Sequence, residues 1–100
     1  MAWKVIWTEA AWNDLEEAAD YIARDSAYYA SAFVCEAQEA ANSLCQMAKR
    51  GRIVPEFDDP SIRELFVRNY RLIYKITEQN VYVIAFIHGS RNLWALKDKI

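Results

Sequence analysis

Partway along the chain the apolar residues change their spacing, and this change restricts the fold more than any other feature. Ala11, Leu15, Ala18, Ala19 and Ile22 recur at three- and four-residue intervals, as do Tyr29, Phe33, Ala37, Ala40, Ala41, Leu44, Met47 and Ala48. That is the spacing of helices with one buried stripe. Three runs at about 62–67, 70–77 and 81–88 instead read as strands, rich in β-branched and aromatic residues. A further short strand is predicted at the start, over Trp3-Lys4-Val5-Ile6-Trp7. Thr8 fits the cap of the first helix, with Glu9 in its first turn, and Asp25-Ser26 separates and caps the second. Lys49, Arg50 and Gly51 supply the stop. The expected fold is α+β: an N-terminal strand, an antiparallel helical hairpin and a three-stranded antiparallel meander, with the helices packed on one face of the sheet.

The connections follow from turn chemistry. Residues 52–61 hold both prolines and two adjacent acids and are expected to form a loop. Arg68-Asn69 is read as a two-residue turn and Thr77 to Asn80 as a four-residue one, while the segment after Gly89 reads as a short helix or a loose end. With these turns, Leu65, Val67, Tyr70, Leu72, Tyr74, Ile76, Val81, Val83, Ala85 and Ile87 share the face beneath the helices. The opposite face then carries Glu64, Phe66, Arg71, Ile73, Lys75, Tyr82, Ile84, Phe86 and His88. An exposed face so rich in rings and cations is a candidate working surface.

Composition narrows the partners. At 100 residues, 54% hydrophobic, with only two Gly and two Pro, the chain reads as one domain over 1–100 and not as a disordered segment. No apolar run approaches the roughly 18 to 20 residues of a membrane helix, and the N-terminus has no secretory pattern. A cytoplasmic protein without a membrane partner is therefore expected. The net charge of −2 divides into −4 for residues 1–50 and +2 for residues 51–100. Such a chain is not globally basic, so contact with nucleic acid would need a local patch. Cys35 and Cys45 fall in one predicted helix, about 15 Å apart, beyond the roughly 7 Å a disulfide allows. They are read as reduced packing residues, and with a lone His no metal site or cofactor is expected.

Four stretches carry a resemblance: Gly51-Arg52-Ile53-Val54-Pro55-Glu56, Ile62-Arg63-Glu64-Leu65, Asn69-Tyr70-Arg71-Leu72-Ile73-Tyr74 and His88-Gly89-Ser90-Arg91-Asn92-Leu93. Together with the order of elements, they resemble the RelE/ParE superfamily of toxins from type II toxin–antitoxin pairs, over nearly the whole chain. The resemblance implies a cognate antitoxin, a hetero-oligomer with it, and possibilities that include a homodimer. It leaves two activities open. RelE-like members are ribosome-dependent endoribonucleases that cut mRNA; ParE-like members poison DNA gyrase without nuclease chemistry. RelE relies on Lys, Arg and a late Tyr, whereas Phe66 stands where it places an Arg and no Tyr follows Tyr82. The His88-Gly89-Ser90-Arg91 ending is similar to the His-Gly-x-Arg of the ParE branch. A non-toxic RNA- or protein-binding module is a third reading.

Metal-free RNA cleavage needs a base, an acid and cations on the phosphate. If the chain is a nuclease, Glu56, His88 and Arg91 are the expected catalytic residues; Arg63, Arg71, Lys75, Tyr82 and Phe86 are the expected target-binding ones. Each has a plainer alternative. His88 can simply bond the backbone at a strand end, Arg63 can pair with Glu64 or Asp59, and Glu56 can be a solvated loop acid. Arg71 and Lys75 can be ordinary surface charge, and Trp3, Trp7, Trp12 and Trp94 can be core or oligomer contacts.

Overall fold

The computed structural model describes residues 2–91. Along the chain run β1 (Lys4–Trp7), α1 (Glu9–Ala23), α2 (Ala27–Asn42), β2 (Arg52–Ile53), β3 (Ile62–Val67), β4 (Tyr70–Ile76) and β5 (Asn80–His88). The strands form one sheet in the order β1-β5-β4-β3-β2. β3, β4 and β5 are the expected antiparallel meander. β1 lies parallel to β5, a pairing no tight turn can make: the α1–α2 hairpin carries the chain from β1 at one edge to β2 at the other, and β3 and β4 bring it back to β5. Among the described residues no helix is long and apolar enough to cross a membrane.

Both helix starts are capped as the sequence indicates. Thr8 Oγ1 accepts the Ala11 N–H at 3.2 Å and donates to the Val83 carbonyl at 2.9 Å, so one hydroxyl starts α1 and ties it to β5. Ser26 Oγ accepts the Tyr29 N–H at 3.2 Å at the head of α2. α1 buries Ala11, Leu15 and Ala18, and α2 buries Ala30, Phe33, Ala37 and Ala41. Phe33 sits edge-on to Tyr70 and Phe86, at 5.2 and 5.6 Å between ring centres.

The second helix ends earlier than its apolar stripe. Ser43 Oγ donates to the Ala40 carbonyl at 2.6 Å, a local bond that competes with the helical ladder, and two single 3₁₀ turns, Ser43–Cys45 and Ala48–Arg50, carry the chain onward. Cys45 thus lies outside the helix that holds Cys35, and both thiols are free. Tyr29 and Met47, expected in the stripe, are exposed. Residues 52–61 are not wholly a loop, because Arg52–Ile53 pairs with Glu64 and Arg63 on the open edge of β3. Between β3 and β4 the Arg68-Asn69 turn forms as expected, with Arg68 at φ 55°.

The most consequential difference is a bulge. Ile73 pairs with Ala85 and Tyr74 with Val83, leaving Ile84 without a partner on β4. One extra residue reverses the side of everything beyond it. Phe86 therefore enters the helix-side core with Leu65, Leu72, Tyr74 and Val83, while Ala85 and Ile87 turn to the other face. There they join Val54, Ile62 and Ile73, with Phe57 of the following loop laid over them. Trp7 meets Trp12 edge-on at 5.7 Å and Trp3 packs on the helix-side core; Trp94 and the segment expected after Gly89 lie, from residue 92 on, outside the described residues.

Candidate functional site

On the sheet face away from the helices, register places Arg52 of β2 beside Glu64 of β3, and Arg71 of β4 beside Phe66 of β3. The Glu64 carboxylate, 1% exposed, accepts from Arg52 Nε with one oxygen and from Arg71 Nε with the other. The two remaining Arg71 nitrogens form a fork on Glu56, each at 3.0 Å. A buried carboxylate would ordinarily be costly, and two guanidinium groups offset that cost. The Arg71 fork holds the Glu56 carboxyl below its usual range, and the two carboxylates in turn make Arg71 harder to deprotonate. Arg71, expected to face a target, is 5% exposed and fully engaged.

The remaining residues expected on this face are dispersed. Lys75 is exposed, and half-buried Tyr82 receives a bond from Asn80 Nδ2 at 3.2 Å. Phe66 is 57% exposed, with the Arg52 guanidinium over its ring at 5.1 Å. Phe86, expected beside them, is in the core because of the bulge. Arg63 pairs with neither expected acid; it donates to the carbonyls of Pro60 and Gly51, both at 3.0 Å, and pins the ends of the 52–61 segment.

His88 and Arg91 stand elsewhere. The same bulge puts His88 on the helix side, opposite Tyr70, where a cleft of about 210 Å³ opens between α1 and the end of β5. Its walls include Asp14, Glu17, Tyr21, Tyr70, His88 and Arg91. His88 Nδ1 lies 3.2 Å from the Ser90 N–H and 2.8 Å from Ser90 Oγ. Asp14 Oδ2 accepts the Phe86 N–H at 3.1 Å, taking the place of a neighbouring strand where β5 extends past β1. Burial, more than nearby Glu17, raises the Asp14 carboxyl, and burial likewise raises the Tyr70 phenol. Glu56 is thus on one side of the sheet and His88 with Arg91 on the other, so the three expected catalytic residues are not brought together. Sequence reasoning missed Asp14 in this cleft; its one signal is an acid a single turn before Ala18 on the apolar edge of α1. Among the described residues no group of three or more His, Cys, Asp or Glu is placed to hold a metal.

Comparison with known proteins agrees with this architecture. Residues 5–93 match the family model described as the ParE toxin of type II toxin–antitoxin system, parDE. The chain is 30% identical over 89 residues to Toxin RelE2 of Caulobacter vibrioides, an alignment covering 88% of this chain and 97% of that protein. A chain of the solved chromosomal ParDE TA system from P. aeruginosa superposes with a TM-score of 0.72 at 20% identity, over 87% of this chain and 96% of its own length. At that identity the likeness concerns the fold.

Proposed function

The chain belongs to the ParE toxin family of type II toxin–antitoxin systems, and from that premise we propose that residues 1–100 form one toxin domain that arrests growth in the cytoplasm by binding DNA gyrase. A cognate antitoxin holds it in check within a hetero-oligomer, as the toxin–antitoxin family supports. The observation behind gyrase binding, as against RNA cleavage, is the Arg52–Glu64–Arg71–Glu56 chain of ion pairs. A phosphate-cleaving face needs free cations and an available base. Here two arginines are matched by two carboxylates, and Glu56, its proton affinity lowered, stands across the sheet from His88.

A second reading, ribosome-dependent mRNA cleavage, draws support from His88 and Arg91 sharing one cleft with Tyr70. Induced expression separates the two. Gyrase binding gives DNA breaks and an SOS response, and purified protein stops supercoiling of relaxed plasmid by purified gyrase. His88→Ala, folded as wild type, keeps this activity. Immediate arrest of translation with cut mRNA, abolished by His88→Ala, would replace the gyrase reading with the nuclease one.

A further inference from the structure

The two edges of the sheet differ. One is β2, two residues long; the other is β1, whose outer side meets no strand among the described residues. Register tells which of its backbone groups are free. The Lys4 N–H reaches the Gln79 carbonyl at 2.9 Å and the Thr8 N–H reaches the Val83 carbonyl at 3.0 Å, so alternate residues from Lys4 onward turn their N–H and C=O toward β5. Those of Trp3, Val5 and Trp7 turn outward, and the Trp3 N–H is already held by the Cys45 carbonyl at 2.9 Å. Beyond that point the edge offers the N–H and C=O of Val5 and of Trp7. Apolar side chains flank them. Trp3, Val5 and Trp7 lean on the helix-side core, and Trp12, 36% exposed, stands edge-on to Trp7. Half-buried Ile6 points to the other face and packs on neither core. An edge flanked in this way invites another strand.

This edge is its own complement. In an antiparallel pair, residues directly opposite exchange both backbone bonds at one position and none at the next. With a second copy laid antiparallel so that Ile6 faces Ile6, Val5 of each copy faces Trp7 of the other. All the free groups of Val5 and Trp7 are then paired, while Trp3 keeps its bond to Cys45. Lys4 stands opposite Thr8 and not opposite another cation. The flanks match as well. At the Trp3 end a hollow of about 350 Å³ is lined by Trp3, Met47, Lys49 and Arg50. At the other end α1 begins with acidic Glu9, one turn before Trp12. The same two-fold sets Trp3 of each copy opposite Glu9 of the other, so a cationic, apolar hollow meets an acidic helix start bearing an indole. We propose that the outer edge of β1 is a homodimer interface, where two β1 strands pair antiparallel about Ile6 and join two five-stranded sheets into one. This goes beyond the gyrase reading and does not depend on it.

The test uses the full chain, purified without antitoxin. Sedimentation equilibrium is expected to give twice the mass of one chain at about 100 μM. Ile6→Lys and Ile6→Glu, each with the wild-type circular dichroism spectrum, set like charges face to face and raise the dimer Kd about tenfold or more. An equal mixture of the two recovers the dimer. Where either variant fails to fold, a cross-link decides. With Cys35 and Cys45 replaced by Ser, Ile6→Cys joins to its own copy on oxidation, because opposed Cα atoms of a non-bonded pair stand about 4.5 Å apart. Val5→Cys, which faces Trp7, cross-links far less. A wild-type chain that stays monomeric overturns the assignment, as do folded charge variants that dimerise like wild type, a mixture that does not recover, or equal cross-linking of the two cysteines. A monomeric chain whose Ile6→Lys variant no longer binds the antitoxin also overturns it, giving the edge to that partner instead.

Discussion

The sheet is covered on both sides, but by different means. On one side α1 and α2 lay alanines, Leu15 and Phe33 against Leu65, Leu72, Tyr74, Val83 and Phe86, a contact of hydrocarbon and rings. On the other a smaller apolar group, Ile62, Ile73, Ala85 and Ile87, is roofed by Val54 and Phe57, and beside it runs the ion-pair chain from Arg52 to Glu56. The first kind of cover stabilises in proportion to the area removed from water. The second contributes little net stability, since desolvation offsets Coulomb attraction, yet loss of one member leaves a buried charge unpaired. The helix side therefore holds the fold together, and the loop side fixes where charges sit and how few remain free.

The sharpest way to break this comparison is to empty one position on the helix side. Phe33→Ala removes a fully buried ring flanked by Tyr70 and Phe86 and is expected to cost about 4 kcal/mol in urea unfolding. Next in size is the loop side's buried anion. Glu64→Ala is expected to cost about 3 kcal/mol, because Arg71 keeps only its Glu56 fork, whereas replacing Glu64 and Arg71 together by Leu and Met recovers most of that loss. If the double variant is no more stable than the single one, the ion pairs stabilise the face outright and the contrast fails. Smaller again is the effect at Tyr74 of the helix-side core, whose hydroxyl accepts the Gly51 N–H at 3.0 Å and donates to the Ala48 carbonyl at 2.7 Å; Tyr74→Phe is expected to lower stability by about 1 to 2 kcal/mol.

The smallest effect sharpens the comparison through pH, since the two sides hold carboxyls shifted in opposite senses. Glu56 has a lowered value in the fold, so its contribution is present above the unfolded value of about 4.3 and is lost as pH falls through the lower folded one. Asp14 is raised, so its contribution is present below about 3.9 and is lost as pH rises through the higher folded value. Glu56→Gln should therefore weaken the protein at neutral pH and flatten its acid limb. Asp14→Asn, which keeps an acceptor for the Phe86 N–H, should be neutral or slightly stabilising at pH 7. Melting curves from acid to neutral pH check both signs, and equal behaviour of the two variants would contradict the assignment.

What the sequence by itself determined is local. The element order, the Thr8 and Ser26 caps, the Arg68-Asn69 turn and the buried stripe of α1 rest on residues a few positions apart, where periodicity and capping act within a single segment. Four short motifs also sufficed to indicate a family whose match spans residues 5–93. Only the tertiary structure decided that β1 joins β5 in parallel, that Arg52–Ile53 becomes an edge strand, and that Arg71 is consumed by Glu64 and Glu56. It also decided the sides of Phe86 and His88. A strand's two faces are one residue apart, so the single unpaired residue at Ile84 carries both to the helix side, and nothing local in the sequence marks a bulge whose occurrence depends on how β5 fits between β4 and α1.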